Sequence, residues 1–129
     1  MLEVNYLLLQ FSSTAGHVSA RALWKDYLLD ANALVFMLDS NDRSRFQEAR
    51  DELWHLYGNP AFKDTPICVL CNKQDIPGAA SRDECIIALG LTGVALGGKG
   101  ENMIQVFDCS VSQGTGYQAA FKWIASLLP

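Results

Sequence analysis

Four apolar runs recur along the chain, separated by stretches with helical spacing. The runs are Tyr6–Phe11, Ala33–Leu38, Pro66–Cys71 and Met103–Asp108. Each has the length of a strand and is nearly continuous in apolar residues, the pattern of strands buried on both faces. Ser19–Leu29 reads as a helix, with Ala20, Leu23, Trp24, Tyr27 and Leu28 on one stripe. Asp42 is placed to cap a second helix, which carries Phe46, Ala49, Leu53, Leu56 and Tyr57 on one face. Gly58-Asn59-Pro60 stops it. Pro77-Gly78 is a turn. Ser81-Arg82-Asp83-Glu84 is a capping box that opens a helix to Leu89, and Gly90 ends it. Thr92–Asn102 is a Gly-rich loop, and Gly116–Leu128 is a final amphipathic helix. Strands alternating with helices predict an α/β fold: a parallel sheet with right-handed crossovers and flanking helices. No repeat, linker or low-complexity tract divides the 129 residues, so a single domain is expected.

Composition narrows the partners. The formal net charge is −4, which argues against nucleic acid as an electrostatic partner. No apolar run approaches the length of a membrane span, and Glu3 sits where a signal peptide carries positive charge. The four cysteines are Cys68, Cys71, Cys85 and Cys109. Cys68 and Cys71 have the spacing of a metal or redox pair, but three residues apart on a strand they point to opposite faces. Buried, reduced thiols are expected instead.

The strongest chemical signal is Cys71-Asn72-Lys73-Gln74-Asp75, directly after the third run. A polar loop at the carboxyl end of a parallel strand is where open α/β sheets bind ligands. Asn-Lys-x-Asp in that place is a guanine-reading motif. Guanine presents two adjacent donors, its ring N–H and its amine, and the acceptor-only Asp75 carboxylate can take both. Adenine has an acceptor at that ring nitrogen, and a site built on hydrogen bonds rejects it. Asn72 can reach the opposite edge of the base and brace the loop. The Lys73 stem can lie along the base face with its charge in water.

Further segments carry a resemblance. Ala15-Gly16-His17, Ala20-Arg21 and Leu23-Trp24-Lys25-Asp26-Tyr27 resemble the Gly-Gly-His segment and following helix of secretion-associated Ras-related GTPases, the Sar branch of the ADP-ribosylation-factor family. Val35–Asp39, Asn72–Pro77 and Ala88–Leu91 look like the wider family. Gly98-Lys99-Gly100, Val106–Val111 and Gly116-Tyr117 with Phe121-Lys122-Trp123 are similar to the Sar branch in particular. The resemblance implies a small GTP-binding protein of ER-to-Golgi vesicle transport, with GTP or GDP and Mg²⁺ as ligands. Coat protein complex II subunits and an exchange factor would be its partners. The location implied is cytoplasmic, peripheral to endoplasmic reticulum and Golgi membranes. It further implies that Ser110-Val111-Ser112 holds the base, with backbone N–H groups facing the guanine carbonyl, and that His17 orients the attacking water.

Departures from the family pattern set further expectations. The phosphate loop Gly-x-x-x-x-Gly-Lys-Ser/Thr is expected to be absent, since nothing before His17 supplies it. The family's first strand, magnesium-binding Thr and membrane-anchoring N-terminal helix are expected to be absent with it. The fold is therefore read as a partial P-loop-GTPase-like sheet, an N-terminally incomplete domain. Gly93–Lys99 has the phosphate-loop spacing until Gly100, where Ser or Thr is needed; it matches the Sar-branch loop before the last strand instead. Ser13 stands where the family has the Asp that supports magnesium, and Ala15 where it has Gly. Four or more lost phosphate contacts, at roughly 1.5–3 kcal/mol each, would cost at least about 10⁴ in affinity. Background hydrolysis alone is expected of such a chain. The second reading is a non-catalytic interaction module, impaired in nucleotide binding, or a truncated isoform of such a GTPase. In the family the first strand lies between those matching Tyr6–Phe11 and Ala33–Leu38. Either these two pair directly here, or a partner fills the slot.

Overall fold

The computed structural model describes residues 6–11, 33–98 and 100–127, the first of these by backbone alone. His17, Ser13, Ala15, Lys99 and the helix expected over Ser19–Leu29 lie outside the described residues. Among the described residues four strands form one sheet: β1 (Tyr6–Phe11), β2 (Ala33–Asp39), β3 (Ile67–Asn72) and β4 (Ile104–Asp108). Their order in space is their order in the chain, and every pairing is parallel. Tyr6 pairs with Ala33 and Phe11 with Leu38, so β1 and β2 are direct neighbours. Among the described residues three helices accompany the sheet: α1 (Phe46–Leu56), α2 (Arg82–Ala88) and α3 (Tyr117–Leu127). The α/β parallel fold read from the apolar runs is the fold found, with strand ends displaced by a residue at most.

Side chains alternate across the strands, and each face has its own helices. Leu34, Phe36 and Leu38 of β2, Ile67, Val69 and Cys71 of β3, and Ile104 and Val106 of β4 share a cluster with Phe46, Ala49, Leu53 and Leu56 of α1 and Cys85 of α2. The opposite face gathers Val35, Cys68 and Leu70 with Ala120 and Ile124 of α3. Cys68 and Cys71 thus face opposite ways, as the strand period requires, and all four thiols are free and buried. Burial of an apolar side chain of this size contributes about 1.5–3 kcal/mol.

The capping box of α2 forms as the sequence predicts. Ser81 Oγ accepts the Glu84 N–H at 3.2 Å, and Glu84 Oε1 accepts the Ser81 N–H at 3.2 Å. These bonds and the Arg43 guanidinium hold the Glu84 carboxyl below its usual range. Ser81→Ala is expected to lower stability by about 1 kcal/mol. Urea unfolding should show this as a lower midpoint at unchanged slope.

Asp42 does not cap α1. Its carboxylate accepts the Ser44 hydroxyl at 2.6 Å, and a 3-10 turn over Arg43–Arg45 intervenes before the helix begins at Phe46. Short polar side chains compete for local partners in this way. The stop after α1 holds: Gly58 has φ +86°, and Asn59 caps a 3-10 turn opened by Pro60. Gly93–Gly98 is a turn-rich segment that follows α2 and its closing turn, not a strand. Gly97 N–H donates to Ile104 O at 2.8 Å, which fastens it to the start of β4.

Candidate functional site

Parallel pairing brings the carboxyl ends of β2, β3 and β4 to one edge of the sheet. Three loops leave there: Ser40–Asp42 after β2, Lys73–Ala80 after β3, and Cys109–Gly116 after β4. Backbone bonds join them. Ser40 N–H donates to Asn72 O at 3.2 Å, Cys109 N–H to Cys71 O at 3.0 Å and Gln74 N–H to Cys109 O at 3.2 Å. Ala80 N–H donates to Ser40 O at 2.8 Å, and Gln74 Nε2 to Ala80 O at 2.9 Å.

Side chains of the expected site complete the joint. Asn72 ends β3, and its Oδ1 accepts the Val111 N–H at 3.0 Å and the Cys109 thiol at 3.7 Å. Its Nδ2 meets Met37 Sδ at 3.6 Å. Asp75 Oδ1 accepts the Ser110 hydroxyl at 2.6 Å, and Ser110 Oγ lies 3.3 Å from Ser112 Oγ. Asp75 is exposed while Ser110 is buried, so a fixed hydroxyl aims a carboxylate that faces solvent. Asp75 Oδ2 has no protein donor among the described residues. Asn72, Asp75, Ser110, Val111 and Ser112 are therefore in one place. The backbone N–H groups are not equivalent, however. That of Val111 is taken by Asn72, whereas that of Ser112 has no protein acceptor among the described residues.

The loop after β4 is shaped by a two-way bridge. Ser110 N–H donates to Thr115 O and Thr115 N–H to Ser110 O, both at 3.0 Å. Gly116 then turns the chain back at φ +87° against the end of β4. A Cβ there would stand 2.1 Å from Asp108 O.

Lys73 departs from the expected pose. Its φ is +65°, and its Nζ donates to Asp39 Oδ2 at 2.7 Å. The ammonium is thus paired and not simply in water. Asp39, which entered the sequence analysis only at the end of the family-like segment Val35–Asp39, is the residue that sequence reasoning missed. The signal was present: an acid closing a buried strand at the same sheet end as the motif.

Burial favours the protonated thiol at Cys68 and Cys109. Burial, with the Cys109 thiol nearby, pushes Cys68 up to about 12, and burial next to Asp108 pushes Cys109 up to about 11. Among the described residues no group of three or more His, Cys, Asp or Glu side chains is arranged to hold a metal ion. No helix among them is long and apolar enough to cross a membrane.

The three loops lie beyond the carboxyl ends of parallel strands, the edge at which open α/β sheets bind ligands. Comparison with known proteins identifies the chain's lineage. The family model for the ADP-ribosylation factor family matches residues 1–128, and the chain belongs to that family. It is 38% identical over 119 residues to the small COPII coat GTPase SAR1 of Giardia intestinalis, covering 88% of this chain and 62% of that protein. It is 33% identical over 128 residues to ADP-ribosylation factor-like protein 1 of Caenorhabditis elegans, covering 98% and 68%. ADP-ribosylation factor-like protein 3 of Chlamydomonas reinhardtii matches at 33% over 109 residues, covering 84% and 59%. The chain thus spans about six to seven tenths of the length of these relatives.

Proposed function

We propose that this chain is a guanine-nucleotide-binding protein of the Sar type, acting in vesicle-mediated transport from the endoplasmic reticulum to the Golgi. The observation that carries the nucleotide reading is the pair of cross-loop bonds, Ser110 to Asp75 and Val111 to Asn72. They present a carboxylate and a neighbouring N–H from two loops at one point. In this reading Asp75 takes the two guanine donors, Ser112 N–H meets the guanine carbonyl, Asn72 braces the loops, and the Lys73 stem lines the base. His17 would orient water for hydrolysis, with Mg²⁺ supplied at the phosphates. In this reading the described residues would hold the base of GTP or GDP; the metal's expected neighbours lie outside them. The Sar assignment rests on Val106–Val111, Gly116-Tyr117 and Phe121–Trp123, supported by the SAR1 match. COPII coat subunits, an exchange factor and a membrane-peripheral location follow from that assignment.

Ser13 and Ala15 favour a second reading, a non-catalytic module of the same descent with weakened nucleotide binding. Calorimetric titration of the chain with GDP and ADP tests the proposal. GDP should bind more tightly by about 10² or more, since a hydrogen-bonded site left unpaired discriminates strongly. Equal affinities for the two would overturn the base reading. Binding of neither would favour the module.

A further inference from the structure

Lys73 combines two unusual features. It is one of only two non-glycine residues at positive φ among those described, the other being Asn102. Left-handed backbone is unfavourable for a residue with a Cβ, and lysine lacks the short polar side chain that eases it. Its ammonium also crosses from the loop after β3 to the end of β2, reaching Asp39 over 34 positions of sequence. The acid there is set independently of the lysine. Asp39 Oδ1 accepts the Asn41 N–H at 3.0 Å within its own turn, leaving Oδ2 for Lys73. The Asp39 side chain is only 10% exposed, so its charge needs a partner, whereas the Lys73 side chain is 44% exposed. The acid is therefore the fixed member of the pair and the lysine the one that is placed. The Lys73 carbonyl, in turn, accepts the Ile76 N–H at 3.1 Å and closes the turn that carries Asp75.

We propose that Asp39 is a positioning residue for the guanine pocket. It holds Lys73 in its left-handed conformation, and through it sets the Lys73–Ile76 turn and the carboxylate of Asp75. The inference rests on the guanine reading for its functional half. The latch itself is made of contacts within the chain alone. A lysine tied to a buried acid would give up less rotamer freedom on binding, which is how preorganisation raises affinity.

Asp39→Asn keeps the shape and the acceptor for Asn41 N–H and removes the charge. Three readouts on the full chain test the proposal. In the ligand-free wild type, the Lys73 ammonium should give a slowly exchanging ¹⁵Nζ signal that Asp39→Asn abolishes. Amide exchange at Gln74 and Ile76 should quicken on the order of tenfold, the scale of releasing one ordered charged side chain. Exchange at Val69 in the core of β3 should not change, which separates a local latch from general destabilisation. GDP affinity should fall by about the same factor, with faster dissociation. Glu84→Gln, which breaks the exposed Arg43–Glu84 pair at 2.9 Å, should leave all three unchanged.

Unchanged exchange at Gln74 and Ile76 in Asp39→Asn would overturn the proposal. So would unchanged GDP affinity in a wild type that binds GDP. If the wild type binds no guanine nucleotide, the guanine reading fails and the ammonium signal and loop exchange alone decide the latch. Should Asp39→Asn fail to fold, Lys73→Met, which keeps the stem and removes the ammonium, is measured in the same way.

Discussion

Gly116→Ala is expected to remove about 3–5 kcal/mol of folding stability, a large part of what a domain of this size has. Two effects add. At φ +87° a side chain strains the backbone, on the order of 1–3 kcal/mol. The new methyl would also stand 2.1 Å from Asp108 O and 2.7 Å from Cys109 Cα. Both are backbone atoms at the end of β4, so no side chain can swing away, and overpacking of this kind costs typically 1–3 kcal/mol more. Gly114→Ala is the internal control. Its φ is +70°, but the nearest contact of a Cβ would be Tyr117 Oη at 3.9 Å, so only the backbone penalty applies. Urea unfolding of the two variants beside the wild type measures the difference. A Gly116→Ala protein within about 1 kcal/mol of Gly114→Ala would show that the close approach to β4 is not a real constraint.

Asp75→Asn should lower GDP affinity by about 10²-fold while leaving the fold intact. Hydrogen bonds to a charged acceptor contribute roughly 1.5–3 kcal/mol each, and two donors of guanine converge on this carboxylate in the proposed pose. The amide keeps an oxygen for the Ser110 hydroxyl, so the link between the two loops survives the exchange. It adds two donors where guanine also presents donors. Xanthine carries a carbonyl in place of the guanine amine, and the amide donor suits it. XDP affinity should therefore rise as GDP affinity falls. Calorimetry with GDP and XDP on both proteins, with thermal unfolding to confirm the fold, reads the outcome. A variant that binds GDP as the wild type does would remove Asp75 from base recognition.

The sequence was most informative where local and global patterns agree. Each apolar run became a strand, because a continuous stretch such as Ile67–Leu70 has no polar face to give to solvent. The opposed directions of Cys68 and Cys71 followed from strand periodicity alone. Ser81 and Glu84 capped α2 because both halves of the box lie within four residues. Asp42 was misread because Ser44, two positions on, offers its carboxylate a nearer donor than the helix does. The partnership of Asp39 with Lys73 was hidden for a different reason. It depends on the register that sets Asp39 opposite Asn72, and no spacing within either segment encodes that register. The left-handed backbone of Lys73 was hidden in the same way, since lysine gives no local signal for it.

The joint between the loops has a consequence for synthesis. Ser110 and Asp75 lie 35 residues apart, Val111 and Asn72 39 apart, and Lys73 and Asp39 34 apart. None of these contacts is local, and the parallel sheet that supports them closes only when β4 docks on β3. At about 5–20 residues per second, a ribosome takes seconds to pass from the guanine motif to Gly116. Throughout that interval β3 shows an open edge, the aggregation-exposed stage of slow, non-local topologies. The loops after β2 and β3 are already joined to each other through Ser40, Ala80 and the Lys73–Asp39 pair, and the loop after β4 joins them when Gly116 folds back against Asp108. The three loops of the pocket therefore come together only after the segment through Gly116 has been made, well after the guanine motif itself.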